Sequence, residues 1–253
     1  MHLPEIDKYA HLDSPLHSWD PRVKIVSLFC LILSMVLASN LLVAGLGLML
    51  AVALVFLSRI PFGFVFLHLR WVMLFVLLFF IIMPLTVSGE EIARFHFLSI
   101  SRRGLELASL IGLRAFSAVL LVFPMIGTMK FSSTTAALQR LKLPNKLVQM
   151  IIFTYRYIFV ALDEMGRMFM AARARGFRSG TNLHTLKTVG NLIGMLFVRS
   201  YERTEHIHRA MVSRGYDGTL RVLDEFALAK KDFLKAALVV ALALGLYFAG
   251  WTL

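Results

Sequence analysis

The sequence predicts an all-α membrane protein with about five transmembrane helices and a cytoplasmic coupling domain of two long amphipathic helices and a shorter one. Three observations predict it. Hydrophobic residues make up 58% of the 253 positions, with a mean hydropathy of +0.74, and they fall in long blocks, as in a chain that uses lipid as solvent. Of the 27 Lys and Arg, 17 lie within residues 128–232, a bias that marks a cytoplasmic segment. Inside that segment the apolar residues recur at helical spacing. The formal charge of +12 is thus accounted for by cytoplasm-facing segments, and no nucleic-acid partner is expected.

Taken in order, residues 1–22 carry Glu5, Asp7, Asp13 and Asp20 and read as a polar cytoplasmic segment rather than a cleavable leader. Residues 23–127 are expected to hold four spans: Val23–Ser39, Leu41–Leu57, Trp71–Val87 and Leu105–Gly127. The first two abut at Asn40. One continuous helix there would be ~52 Å long, far more than a single crossing needs, so the chain is expected to turn at Asn40. Residues 58–70 and 88–104 read as loops, 128–232 as the cytoplasmic coupling helices, and 233–253 as the last span. By parity the N-terminus and 58–70 lie inside, while Asn40, 88–104 and the C-terminus lie outside. Leu147–Leu162 is apolar but broken by Gln149 and Arg156; were it to span, the C-terminal topology would invert. Cys30, the single cysteine, reads as a packed thiol and excludes a disulfide framework.

The basic segment shows two long periodic stretches. After Pro144 the apolar stripe is Leu147, Ile151, Ile158, Leu162, Met165 and Phe169, with Lys146, Gln149, Arg156, Asp163 and Arg167 opposite. A second helix is expected from about Leu183 to Arg214, with a stripe of Leu186, Val189, Ile193 and Leu196 continuing less cleanly through Tyr201, Ile207 and Met211. Both end alike. Ala174-Arg175-Gly176-Phe177 closes the first and Ser213-Arg214-Gly215-Tyr216 the second. Gly at such a place takes the left-handed conformation that stops a helix, and Arg before it suits the helix dipole. Either end alone is an ordinary cap. The duplication of small residue, Arg, Gly and aromatic instead suits docking on two copies of one partner.

With these features the chain resembles the T components of energy-coupling-factor (ECF) transporters, specifically the cobalt and nickel type called CbiQ. The two tips are similar to that family's paired Ala-Arg-Gly signature, with Ser213 departing from the usual Ala. Asp20-Pro21-Arg22-Val23-Lys24 resembles its N-terminal motif. Leu143-Pro144, Thr154-Tyr155-Arg156-Tyr157 and Asp163-Glu164 resemble the stretch before the first signature, and Leu3-Pro4-Glu5-Ile6-Asp7-Lys8-Tyr9-Ala10 points to the metal subgroup. The resemblance implies a multi-pass, non-catalytic subunit of a prokaryotic cell membrane. Its partners would be two cytoplasmic ABC ATPases and a substrate-capturing S-type membrane subunit. By the same resemblance Arg175 and Arg214 would pair with acidic groups on the ATPases, and Gly176 and Gly215 would allow close approach. ATP would be used by the partners, and no cofactor is expected on this chain.

Other signals are weaker. Arg114 lies inside the fourth expected span with Glu106 two turns before it. An intramembrane charge is a functional candidate, although an Arg bonded to backbone or to Glu within the bundle explains it equally well. The eight histidines are scattered, and His206 and His208 point to different sides of a helix, so no metal site is expected. No phosphate loop, catalytic carboxylate pair or nucleophile–base arrangement stands out. The rival readings are the same coupling role for a vitamin or for several substrates and, from another class, an independent channel or membrane enzyme.

Overall fold

The computed structural model describes residues 9–12, 14–88, 90–95, 98–220 and 230–252. Among these residues, eight helices and one small hairpin follow in order: α1 (Pro21–Leu37), α2 (Leu41–Ser58), α3 (Phe62–Thr86), β1 (Glu91–Phe95), β2 (Leu98–Ser101), α4 (Arg102–Ile126), α5 (Phe131–Arg140), α6 (Asn145–Ala174), α7 (Leu183–Ser213) and α8 (Lys230–Thr252). The chain divides into two compact units. One comprises Met1–Ala137 with Asp224–Leu253, the other Leu138–Leu223.

The first unit is a helix bundle. Asp20 caps α1: its carboxylate accepts from the Arg22 backbone N–H at 2.9 Å and pairs with the Arg22 guanidinium at 3.3 Å, while Pro21 takes the first helical turn. Lys24, wholly buried, donates from Nζ to the Leu16 carbonyl at 2.8 Å and to Thr128 Oγ1 at 2.7 Å. The acidic–proline–basic entry motif is therefore a folding device that ties the N-terminal segment and the end of α4 to the start of α1. The expected turn at Asn40 is present, and Asn40 Oδ1 caps α2 by accepting from Leu42 N–H at 3.0 Å. Leu28, Leu31 and Met35 of α1, Ala51 and Val55 of α2, Leu120 and Leu121 of α4, and Val239 and Ala243 of α8 form the core. Ser34 Oγ donates to the Ala243 carbonyl at 2.6 Å, joining α1 to α8. Cys30 is a half-buried free thiol.

Among the described residues, four helices are long and apolar enough to cross a membrane: Leu41–Ser58, Phe62–Thr86, Arg102–Ile126 and Lys230–Gly250. The expected first span is α1, which has 17 residues and so a length of about 26 Å. Its six buried residues include Lys24, Ser27 and Ser34, whereas Val26, Phe29, Leu33, Val36 and Leu37 are exposed, so α1 turns a partly polar face into the bundle and an apolar face outward.

Two expected loops are corrected. The segment 58–70 is a loop only as far as Pro61, because α3 begins at Phe62. His68 and Arg70 interrupt the apolar pattern in the sequence, yet the helix accommodates both: the His68 ring packs against Phe64 and Phe123, and the Arg70 guanidinium lies over the Trp71 ring. The segment 88–104 is not plain loop. β1 and β2 pair antiparallel, with Phe95 opposite Leu98, Ala93 opposite Ile100 and a bulge near Glu91. The alternation Leu98-Ser99-Ile100-Ser101 has the period of a strand, and this hairpin is the one departure from an all-α description among the described residues. Just beyond it, a Cβ on Gly104 would come within 2.5 Å of the Met83 carbonyl oxygen, so glycine there lets α3 and α4 approach closely.

Candidate functional site at two helix tips

The second unit is built from α6 and α7 with the end of α5. Pro144 precedes α6, and Asn182 caps α7 by accepting from Thr185 N–H at 2.8 Å. The two helices run in opposite directions and meet at one acidic residue. Glu164 of α6 pairs with Arg167 Nη2 at 2.6 Å, with Arg199 Nη1 of α7, and more distantly with Arg203 at 4.0 Å. The Glu164 side chain is 13% exposed while its arginines are 46–59% exposed, so the acid is the enclosed hub and the bases reach water. Hydrogen bonds from Arg167 and then Arg199 hold its carboxyl below the ordinary carboxylate range.

Both helix ends have one geometry. At the first tip Phe177 N–H donates to the Ala172 carbonyl at 3.1 Å and Gly176 N–H to the Arg173 carbonyl at 3.0 Å. At the second, Tyr216 N–H donates to Met211 and Gly215 N–H to Val212, each at 3.0 Å. Gly176 and Gly215 have φ of +88° and +84°. These are two complete Schellman caps, with glycine at the left-handed position. A Cβ on either glycine would meet nothing within 4 Å, so within the chain glycine is set by backbone conformation, and the space around it is open. Arg175 and Arg214 occupy the cap position itself, and both are exposed, as are Ala174 and Ser213.

The tips lie at opposite ends of the pair. Tyr216, two residues beyond Arg214, donates its hydroxyl to Gln149 Oε1 at 2.7 Å. Gln149 and Arg175 are 26 residues apart along α6, which places them about 39 Å apart at 1.5 Å per residue. The expected apolar stripe is largely exposed: Leu147, Ile151, Ile158 and Leu162 on α6, and Leu186, Ile193 and Tyr201 on α7. The buried residues of α6 are others, Val148 and Met168, while Ile158, Leu196 and Ile207 of the expected stripes line the space between the two helices. Neither α6 nor α7 is among the helices long and apolar enough to cross a membrane.

Arg114 of α4 donates from Nε at 2.8 Å, and also from Nη2, to the Ala38 carbonyl at the end of α1. It does not pair with Glu106, which lies beside Arg102 at 3.3 Å on an exposed turn. Among the described residues no group of three or more His, Cys, Asp or Glu stands close enough to hold a metal ion. Most of the opening motif, Leu3 to Lys8, lies outside the described residues. Two residues gained roles that spacing did not reveal. Glu164 entered only through the resemblance, and Gln149 looked like a polar interruption of an apolar run; their partners are 35 and 67 residues away in the chain, beyond any local pattern.

The family model described as CbiQ, cobalt transport protein, matches residues 13–223, and so takes in the α1 entry motif and both tips. The chain belongs to the CbiQ family. Relatives extend over most of its length. The energy-coupling factor transporter transmembrane protein EcfT of Thermanaerovibrio acidaminovorans is 32% identical over 227 residues, covering 84% of this chain and 83% of the relative. That of Bacillus subtilis is 30% identical over 226 residues, covering 84% of each. The EcfT of Acidaminococcus fermentans is 26% identical over 259 residues, covering 97% of this chain and 96% of the relative. Four apolar helices in a CbiQ-family chain make this a multi-pass membrane protein and a T component of the ECF type.

Proposed function

We propose that this chain is the coupling subunit of an ECF-type importer for cobalt or nickel, passing the motion of two ABC ATPases to a membrane subunit that captures the substrate. The observation that carries the reading is the pair of matching caps. Two exposed arginines, each held at the end of a long helix by the same hydrogen bonds, sit about 39 Å apart, and such a pair suits two equivalent grooves on a symmetric ATPase dimer. A guanidinium fork makes a directional, two-bond contact with a carboxylate, so it transmits displacement as well as affinity. The exposed apolar stripe of α6 and α7 offers the capture subunit a surface. ATP is bound and hydrolysed by the partners, and this chain carries no catalytic group or cofactor of its own.

Orientation follows from charge. Arg22, Lys24, Arg59, Lys130, Lys230 and Lys231 all fall where α1, α2, α4 and α8 meet one end of the bundle, which supports a cytoplasmic N-terminus and an external C-terminus in a prokaryotic cell membrane. Cobalt rests on the family description and on the opening motif. The named relatives carry no metal in their names, and this favours, as a second reading, the same role for a vitamin or for several capture subunits.

The test is to replace the tips. Removing one half of a desolvated Arg–carboxylate pair costs about 2–5 kcal/mol. Arg175→Ala or Arg214→Ala alone is expected to weaken retention of the ATPases. The double variant is expected to abolish radiolabelled cobalt or nickel uptake while inserting normally, and Lys at either place to restore only part. A double variant that keeps its ATPases and transports at the wild-type rate would reduce both tips to ordinary caps. Uptake of a vitamin but of neither metal would select the second reading.

A further inference from the structure

Gln149 interrupts an apolar run, Leu147-Val148-Gln149-Met150-Ile151, and the structure uses both ends of its amide. Tyr216 Oη donates to Oε1 at 2.7 Å, and Nε2 donates to the Gly218 carbonyl at 2.7 Å. Beside it, Gln139 Nε2 at the end of α5 donates to the Leu220 carbonyl at 2.9 Å. Three side-chain bonds therefore hold the five residues that leave the second tip. The chain leaving the first tip is held differently, by short-range bonds: Gly180 N–H to Thr185 Oγ1 at 3.1 Å and Thr185 N–H to Asn182 Oδ1 at 2.8 Å.

We infer that Gln149 is a positioning residue for Arg214, fixing the second tip to the first turns of α6, the helix whose far end carries the first tip. The inference rests on the reading of the tips as ATPase-docking points and deepens it. The first tip moves with α6 because it is the end of that helix, and a hydrogen-bonded helix is a stiff rod along its axis. The second tip belongs to α7. It shares the displacement of α6 only where something ties the two together, and the amide of Gln149 does so within two residues of Arg214. Two bonds from one planar group fix orientation as well as distance. α6 then becomes the common carrier of both tips, loaded at its C-terminus through Arg175 and at its N-terminus through Tyr216 and Gly218. The Glu164 hub cannot serve in its place, because it lies fifteen residues from Arg214 along α7 at its nearest strong partner, Arg199.

The experiment uses the full transporter with its own ATPase subunits, comparing ATPase retention through a graded salt wash for Gln149→Leu, Tyr216→Phe, Arg175→Ala, Arg214→Ala and the Gln149→Leu double variants. Losing the clamp is expected to lower retention about fivefold, the worth of a typical net hydrogen bond. Added to Arg175→Ala, Gln149→Leu is expected to lower it by the same factor again. Added to Arg214→Ala it is expected to cost less than about twofold, because the tip it positions is already disabled. Tyr216→Phe, which keeps the ring and removes one bond, is expected to repeat the pattern at smaller size and decides the matter if Gln149→Leu does not insert. Equal further losses in both arginine backgrounds, or no loss while Arg214→Ala keeps its own effect, would overturn the clamp and leave the docking tips standing. Wild-type retention in both single arginine variants would instead overturn the docking tips, and the clamp with them.

Discussion

Arg114 shows how one charged side chain can be held inside an apolar bundle. Its guanidinium donates twice to the Ala38 carbonyl, at the end of α1, where the last carbonyls of a helix lack intrahelical donors. In a hydrocarbon setting that carbonyl has no water to turn to. Arg114→Leu is therefore expected to destabilise the bundle by about 1–3 kcal/mol, the cost of stranding a buried acceptor, and to lower the melting temperature and yield of the purified complex. Arg94→Leu, on β1 and outside the helix bundle, serves as the comparison; equal, mild losses in both variants would make the α1–α4 bond dispensable. Glu164 stands outside the spans and behaves as a titratable hub. Its folded-state pKa is depressed by hydrogen bonds from Arg167 and Arg199. The stability it contributes is thus fully present above the ordinary carboxylate pKa and is lost as pH falls through the lower, folded value. Spin labels at Met170 and Leu186, both exposed, are expected to keep one distance distribution from about pH 8 to pH 5 and to broaden only below about pH 4. Glu164→Gln is expected to broaden it throughout, and a distribution already broadening at pH 6 would contradict the assignment of the hub.

At the scale of elements, α6 and α7 separate two kinds of apolar residue that periodicity alone merges. Val148 and Met168 are buried within the chain, whereas Ile151 and Ile193 remain 38% and 54% exposed. On the proposed reading, the long exposed apolar stripes on this pair of helices are the surface that the capture subunit covers. Ile151→Asp and Ile193→Asp are accordingly expected to leave helicity and insertion intact, since the new carboxylate stays solvated in the isolated chain. In the assembled complex it would be buried without a partner, at a cost of several kcal/mol, so the capture subunit is expected to be lost on purification. Retention of that subunit together with normal uptake would show that the covered face lies elsewhere on these helices.

For the whole molecule the decisive property is topology. Lys and Arg cluster at one end of the bundle and throughout α5 to α7, and on the proposed reading the positive-inside bias is expected to orient each toward the cytoplasm. Reporter fusions after Leu57 and at Asn182 are expected to report a cytoplasmic location, and a fusion at Leu253 an external one. A cytoplasmic reading at Leu253 would require an odd number of further crossings, and Leu147–Leu162 would be the segment to re-examine.

Much of this was legible in the sequence because lipid and helix geometry act locally. Apolar block length marked α2, α4 and α8, Asn40 marked the first turn, and glycine after arginine marked both helix ends, since each signal depends on neighbours a few residues away. The resemblance carried by the two tips and the Asp20–Lys24 entry named the family that residues 13–223 match. What the tertiary structure decided are the pairings across long stretches of chain: Lys24 with Thr128, Arg114 with the Ala38 carbonyl, Glu164 with Arg199, and Gln149 with Tyr216. A lone polar residue in an apolar run announces that it needs a partner, because an unsatisfied buried group is costly. It does not say which partner, because that choice is made by how helices far apart in sequence come to cross.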